Sequence, residues 1–352
     1  MSTRTSLPSL TPFTQLAPDY RDTLLLGNGA SMAIAPGFGY RSLLDHARTR
    51  ALMTPALDTL FHHFDTADFE LVMRLLRDTR SVNDALGISE GVTAPAYAEI
   101  RDALIRSVRD THVEQASILS HLRPISAFMS RFATVLSLNY DLLVYWAMQK
   151  AKEYARGVWF KDCWLGGFFD EDWRRLREPY GDAAGSTLVF YPHGHLTLTS
   201  HLTRGEAKIH LGATGASNLL DAIFSHWTTG ERIPLFVSEG DAAQKRIAIS
   251  RSGYLNTVYN DVMTDLGRSI LVFGWNAGEQ DEHILRRLCA PRTERIALSV
   301  FRPTGQSDRD LALELARIEL RLRQAGFDGH VEFFDASSAG CWNRCDDDGF
   351  TA

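Results

Sequence analysis

The chain has only four cysteines in 352 residues, Cys163, Cys289, Cys341 and Cys345, and no CxxC pair among them. That excludes a zinc-ribbon signature and fits reduced thiols in a cytosolic protein. Cys341 and Cys345 are spaced to meet across one helical turn, but two thiols without partners make a poor metal site. Long apolar runs are also lacking. None approaches the ~20 residues that a membrane span needs, and MSTRTSLPSLTPFTQLAP has no continuous apolar segment of a secretory signal. The reading is a cytoplasmic protein with no membrane partner. Charge of one sign is not concentrated anywhere: 37 Lys and Arg stand against 43 Asp and Glu, net −6. Without a block of like charges, composition indicates no nucleic-acid surface. Internal repeats and low-complexity segments are missing as well.

Seven apolar runs read as strands: Thr23 to Leu26, Phe132 to Leu138, Thr187 to Tyr191, Pro234 to Val237, Ser269 to Phe273, Arg295 to Val300 and His330 to Phe334. Most are short, apolar on both faces and followed by amphipathic helical text. That is the pattern of buried parallel strands joined by helices. The fold class expected is α/β, a Rossmann-like, doubly wound and mostly parallel sheet. The clearest helices are Ala242 to Ser250, Tyr254 to Leu266, Gln280 to Leu288 and Arg309 to Ala325, the last stopping at Gly326. Two insertions interrupt the pattern. Residues 52–131 carry FELVMRLLRDTR and YAEIRDALIRSVRDTHVEQASILSHL, amphipathic text too long for a simple crossover. They read as an inserted helical subdomain, with a solvated layer or an oligomer interface as the plain alternative. Residues 155–212 begin with aromatic, glycine-rich text (WFKDCWLGGFFDEDWRRL) and end in a β-hairpin expected from Leu196 to Gly212. Residues 1–20 read as a weakly ordered arm, and residues 21–352 as one domain.

In an open α/β sheet, ligands sit outside the carboxyl ends of the strands, so the residues at those ends are the candidates. The first strand runs into Gly27-Asn28-Gly29-Ala30-Ser31. Two glycines let backbone N–H groups approach an anion and Ser31 adds a hydroxyl, though a tight turn explains the text equally well. The third glycine of the dehydrogenase fingerprint and the lysine of a P-loop are both absent. The second strand ends in Asn139-Tyr140-Asp141. An Asn and an Asp two apart can orient a polar ligand, while Asp141 is also placed to cap the following helix. The third ends in Pro192-His193-Gly194-His195, where His suits general acid–base work. If the strand continues, only one of the two histidines faces the site. His193, His195, His201 and His210 match no usual zinc spacing, so no metal is expected. The fourth run ends in Ser238-Glu239-Gly240-Asp241, which reads as a helix cap. The fifth ends in Gly274-Trp275-Asn276-Ala277-Gly278. Together these strand ends suggest a bound nucleotide or dinucleotide.

These motifs resemble the sirtuin-like NAD-binding superfamily, in particular its bacterial NAD-hydrolase branch. GNGAS (Gly27 to Ser31) resembles the GAGxS phosphate loop. SLNYD (Ser137 to Asp141) is similar to TxNxD, with Asn139 and Asp141 at matching positions. His193 of YPHG matches the catalytic His before Gly, and FGWNAGEQDEHI, from Phe273, resembles the later Gly-Tyr-Ser-containing strand end. The motifs span Gly27 to about Ile284. Two departures stand out. No residues can build the four-Cys zinc module of the deacylases, and the GIPDFR loop is replaced by a shorter APGFGYRS (Ala35 to Ser42), where Phe38 or Tyr40 would serve.

The resemblance implies hydrolysis of NAD⁺, as substrate, to nicotinamide and ADP-ribose. Asn139 would orient the ribose hydroxyls or the water, Asp141 would hold the nicotinamide carboxamide, and His193 would be the general base. Gly27, Asn28, Gly29, Ala30 and Ser31 would bind the pyrophosphate, and Gly274, Trp275 and Asn276 the adenosine half. It further implies a homo-oligomer acting in bacterial anti-phage defence by NAD depletion. The alternatives are a non-catalytic sensor of NAD⁺ or ADP-ribose, a subunit that docks a partner ATPase or regulatory protein, and, last, an NAD-dependent protein deacylase.

Overall fold

A strand buried on both faces needs no polar alternation, and the central strands of this chain have none. The computed structural model describes residues 10–38, 42–88, 91–154, 157–201, 203–210, 218–230, 232–237 and 240–344. Its strands are β1 (Thr23–Leu26), β2 (Thr134–Ser137), β3 (Val158–Lys161), β4 (Trp164–Leu165), β5 (Phe168–Phe169), β6 (Gly185–Phe190), β7 (Gly194–His201), β8 (Gly205–Lys208), β9 (Arg232–Phe236), β10 (Ser269–Phe273), β11 (Arg295–Val300) and β12 (His330–Asp335). Every residue of β1, β2 and β10 is buried. Seven strands form one all-parallel sheet in the order β12-β11-β10-β1-β2-β6-β3, flanked by helices. The chain builds from β1 to one side (β2, β6, β3) and then returns to build β10, β11 and β12 on the other. The order therefore reverses between β1 and β10, the switch point at which α/β sheets open a crevice. The fold is α/β and Rossmann-like, as the strand pattern implied.

Two strand assignments change. The run Pro234 to Val237 is not a parallel strand of the central sheet. It lies in β9, which pairs antiparallel with β7 in a separate three-stranded sheet, order β8-β7-β9. Within that sheet β9 pairs on one side only, the place where a proline that cannot donate to the ladder is tolerated. Its following residues Ser238 and Glu239 lie outside the described residues. The seventh central strand is instead β3, at the sheet edge within the aromatic insertion. Its half-exposed pattern at VWFK carries no apolar run to mark it. The expected hairpin is present as β7 and β8, antiparallel from Leu198–Lys208 to His201–Gly205; Gly212 is outside the described residues.

Of the arm expected over residues 1–20, residues 1–9 lie outside the described residues, and residues 10–20 pack against the domain. Thr11 bridges to Phe334, Phe13–Leu16 forms a helical turn, and Phe13 and Tyr20 are buried. The apolar positions in TPFTQL are too few to announce this from sequence. The helix expected from Tyr254 to Leu266 is also shorter, Gly253–Asn260 followed by a 3-10 turn. Its continuation is broken at Asp261, whose carboxylate accepts from Trp173 Nε1 and Arg174.

The helical insertion comprises Pro55–His63, Phe69–Leu86, Thr93–Thr111 and Leu119–Met129. It is more than a solvated layer: Phe69, Val72 and Met73 on one helix and Ile100, Ala103 and Leu104 on the next join the main core. The Phe69–Leu86 helix is capped by Asp68, which accepts from the Glu70 N–H, and stops at Gly87 in left-handed conformation, φ 67°. Glu70 is buried. It pairs with Arg74 through Oε1, while its Oε2 has no partner among the described residues.

Burial outweighs the Arg74 charge and pushes the Glu70 carboxyl up to about 8. An unfolded Glu ionises above about 4.3, so the chain loses stability as pH rises from there to the folded value. Glu70→Gln removes that loss. Its stability relative to wild type should rise by at least ~1 kcal/mol between about pH 5 and pH 8, read from urea titrations at both ends. A gap that stays constant with pH would contradict the buried neutral carboxyl.

Candidate functional site

The switch point holds the site. Where β1 ends, the Gly27 N–H donates to Phe273 O (3.0 Å) and the Gly29 N–H to Gly274 O (2.7 Å). Backbone thus meets backbone between the ends of β1 and β10, and only glycine permits it. A Cβ on Gly27 would lie 2.6 Å from Gly274 O, and one on Gly29 2.8 Å from Gly274 Cα. Gly274, at φ 71°, would put a Cβ 2.2 Å from the Ala30 nitrogen. Of the two sequence readings of GNGAS, this geometry is the tight turn. The N–H groups of both glycines are already bonded to the neighbouring strand end.

β2 delivers Asn139 and Asp141 to this loop. Asn139 donates through Nδ2 to Gly27 O (3.0 Å) and Ser31 Oγ (2.9 Å). A carbonyl only accepts, which fixes the amide orientation and leaves Oδ1 as the atom for a ligand. Asp141 accepts from Ser31 Oγ (2.6 Å) with one oxygen and from the Leu143 N–H (2.9 Å) with the other. It therefore caps the following helix and locks Ser31, rather than standing free for a ligand amide. Burial raises its pKa, opposed by His112, Ser31 and the Leu143 N–H. His112 from the helical insertion accepts the Leu142 N–H at Nε2 (3.0 Å), and its Nδ1 is 2.8 Å from Val113 O. These bonds set its tautomer, and burial lowers its pKa.

A cavity of about 1050 Å³ opens above these strand ends. Its wall takes residues from the carboxyl ends of β2 (Leu138 to Asp141), β1 (Gly27, Asn28, Gly29), β10 (Gly274, Trp275, Asn276), β11 (Ser299) and β12 (Ala336, Ser337). Nine expected residues line it: Asn139, Asp141, His193, Gly27, Asn28, Gly29, Gly274, Trp275 and Asn276. Four do not fit so simply. Ala30 and Ser31 are buried behind the loop, where the Ser31 hydroxyl is committed to Asp141. Phe38 is buried edge-on against His112, 5.3 Å between centroids, and lies outside the cavity wall. Its ring is apolar, and the core took it. Tyr40 lies outside the described residues.

Only one of the two histidines faces the cavity, but through a turn rather than strand alternation, since β6 ends at Phe190 and β7 starts at Gly194 in another sheet. His193 lines the cavity. His195 is fully buried, bonded to Thr197 Oγ1 (2.8 Å) and packed on Tyr191. The turn between them needs Gly194 at φ 77°, since a Cβ there would meet Leu235 O at 2.2 Å. His193 Nε2 lies 2.9 Å from His283 Nε2 across stacked rings, which leaves Nδ1 as the nitrogen for a ligand. Burial first, then Lys245, pushes His193 down to about 3 and His283 to about 4, so both rings are neutral at ordinary pH.

Sequence reasoning missed His283, Asp281, Lys245, Glu314 and Arg344. Asp281 and His283 stood in the quoted FGWNAGEQDEHI, two apart after a strand end, and that spacing was a usable signal. Asp281 accepts from Lys245 Nζ (2.8 Å) and from Trp275 Nε1 (3.1 Å), and Lys245 is itself buried. His193, Asp281 and His283 bring one ligand atom each within 4.8 Å, a grouping different from the four histidines considered for zinc. Lys245 already neutralises the Asp281 carboxylate, so a divalent ion there would add uncompensated buried charge. Cys163, Cys289 and Cys341 are free thiols, and burial raises the pKa of each; Cys345 lies outside the described residues.

The chain belongs to the family described as "Domain of unknown function (DUF4917)", whose model matches residues 24–342. The match runs from β1 to Trp342 and so includes the strand ends and helices that line most of the cavity. No curated protein matches the chain. No helix among the described residues is long and apolar enough to cross a membrane.

Gly274→Ala tests the switch-point contact. Both the φ and the overlap with Ala30 oppose it, so it should cost roughly 3 kcal/mol or more. Gly305→Ala, at φ 90° with nothing within 4 Å of the new Cβ, should cost about 1 kcal/mol from backbone strain alone. Chemical denaturation of the two variants reads the difference; equal costs would refute the close approach.

Proposed function

We propose that this protein is an NAD⁺ hydrolase that cleaves the nicotinamide–ribose bond with water. The observation that carries the reading is that Asn139 and His193 line one cavity that continues over the switch point, each with one polar atom outside its protein hydrogen bonds, Oδ1 and Nδ1. The dimensions of the cavity support a dinucleotide. Five adjacent strand ends at about 4.8 Å each span about 19 Å, the scale of an extended dinucleotide. Its volume is at the upper end of the usual range of roughly 300–1,000 Å³ for small-molecule sites. The likeness of GNGAS, SLNYD and YPHG to the sirtuin-like superfamily points the same way, and it extends the proposal to NAD depletion in anti-phage defence by an oligomer.

The chemistry asks little of a base. Nicotinamide leaves as a neutral molecule, so the ribose C1′ gains cationic character before water closes on it. The attacking water turns strongly acidic only as its bond to C1′ forms. A weakly basic imidazole that is neutral before the reaction suits that late proton transfer. Asn139 Oδ1 accepts from a ribose hydroxyl or from the water and holds it in line. Asp141 acts one step back, by fixing Ser31 and the glycine turn. Trp275, whose indole N–H is held by Asp281, provides a rigid apolar wall. The absence of the deacylases' four-Cys module and of a GIPDFR-like loop favours water as the acceptor over an acyl-lysine.

The test is nicotinamide release from NAD⁺ by purified protein, in fractions of defined oligomeric state. Asn139→Ala and His193→Ala should each lower kcat/KM by about 10²-fold or more. Undiminished turnover in His193→Ala would remove the base assignment. Tight binding with no product in any fraction would leave a sensor of NAD⁺ or ADP-ribose in place of an enzyme.

The pH profile is a second check. Burial keeps His193 neutral down to about 3, so protonation of this base should not cut activity near pH 6.5, where an ordinary His titrates. The kcat/KM profile should therefore stay level from about pH 8 to pH 5, with circular dichroism confirming that the fold persists. An acid limb centred near 6.5 in folded protein would contradict a buried neutral His193.

A further inference from the structure

The two glycine N–H groups and the Ser31 hydroxyl of the loop are not free to hold an anion. The Gly27 and Gly29 N–H groups are spent on β10, the Ser31 hydroxyl is spent on Asp141, and the helix that the loop itself opens, Asn28–Met32, has only five residues. A ligand with phosphates needs its counter-charge elsewhere. Among the described residues, two lysines or arginines line the cavity, Lys245 and Arg344. Lys245 is buried and bound to Asp281 at 2.8 Å, so its charge is closed. The Arg344 side chain is exposed and makes no hydrogen bond or ion pair among the described residues.

Arg344 is brought to the cavity by a fixed piece of chain. After β12, residues 336–344 fold back along the carboxyl edge of the sheet, and Ala336, Ser337 and Asn343 line the cavity with Arg344. Trp342 pins this segment to the switch point. Its Nε1 donates to Ala30 O at 2.8 Å, and its ring packs on Phe273 (5.5 Å) and edge-on to Phe128 (6.0 Å). Trp342 sits at φ 54°, a left-handed conformation that a bulky residue adopts only where its surroundings impose it. Asn343 Nδ2 adds a contact to His121 Nδ1 at 3.2 Å. Two residues beyond a strained and buried tryptophan, a guanidinium with no partner among the described residues belongs to the wall of a cavity of dinucleotide size.

We infer that Arg344 is the phosphate anchor of this cavity and binds the diphosphate of the ligand. Its planar fork of N–H donors matches two phosphate oxygens at once, which a lysine ammonium does not reproduce. The assignment rests on the nucleotide reading of the cavity but not on catalysis. It requires a diphosphate ligand and is indifferent to whether NAD⁺ is turned over.

The experiment is calorimetric titration of the full chain with ADP-ribose and, separately, with inorganic pyrophosphate. Arg344→Ala should weaken ADP-ribose about 10-fold or more and abolish the salt-sensitive part of pyrophosphate binding. Arg344→Lys should recover only part of the ADP-ribose affinity, and neither variant should shift Tm. ADP-ribose affinity in Arg344→Ala equal to that of wild type overturns the inference, and so does a wild-type chain that binds neither probe. Nicotinamide release is scored apart. Turnover with unchanged binding in Arg344→Ala removes the anchor and keeps the hydrolase. Lost binding in a chain without turnover keeps the anchor and removes the hydrolase.

Discussion

The close approach of two backbones at the switch point governs this structure. Gly27 and Gly29 meet Gly274 at separations that no Cβ tolerates, and the two strand ends are held there by their own amide hydrogen bonds. Several parts of the site are then attached to that knot. Asn139 binds the Gly27 carbonyl, Asp141 binds Ser31, and the Trp342 indole binds the Ala30 carbonyl. β2, β10 and the segment after β12 are thereby referenced to one turn of five residues. A site assembled from distant parts of the chain gains rigidity from such a common anchor, and orientation is what a positioning site requires.

The wall is also economical in free polar atoms. Most buried donors and acceptors around the cavity satisfy one another, as a dry interior demands. Asp281 is closed by Lys245 and Trp275, and the Nε2 of His193 faces that of His283. Among the groups left for a ligand are the Asn139 amide oxygen, one nitrogen of His193 and the guanidinium of Arg344. Their chemistry differs, an acceptor, a neutral titratable ring and a cation. A ligand that satisfies all three carries a hydroxyl or water and an anion, which is the chemical outline of a nucleotide with its ribose.

Much of the scaffold was legible because burial on both faces leaves a direct mark on sequence. TLLL, TVLS and SILVF have no polar alternation and ended where the sheet ends. β9 and β3 broke the correspondence for opposite reasons. β9 is apolar but pairs antiparallel in the second sheet, and no short apolar run states which sheet it joins. β3 belongs to the central sheet, but as a half-exposed edge it lacks the run. Phe38 shows the same limit at the site. An aromatic in a loop near a glycine motif reads equally as a ligand contact or as core, and packing against His112 made it core.

The sequence by itself determined the α/β class, the strand ends that carry chemistry, and the presence of Asn139 and His193 among them. Those features are local: they follow from hydrophobic runs, glycine and short polar residues within a few positions of one another. Only the tertiary structure decided what each polar atom has left to offer. It set His283 against His193 across 90 positions, Lys245 against Asp281 across 36, and Trp342 against Ala30 across 312. It also turned GNGAS from a phosphate loop into a backbone junction and placed Arg344 in the cavity wall without a partner among the described residues. A side chain's chemistry is written in its identity, but its availability depends on who occupies its hydrogen bonds. That is settled by contacts between segments whose order in the chain carries no trace of their meeting.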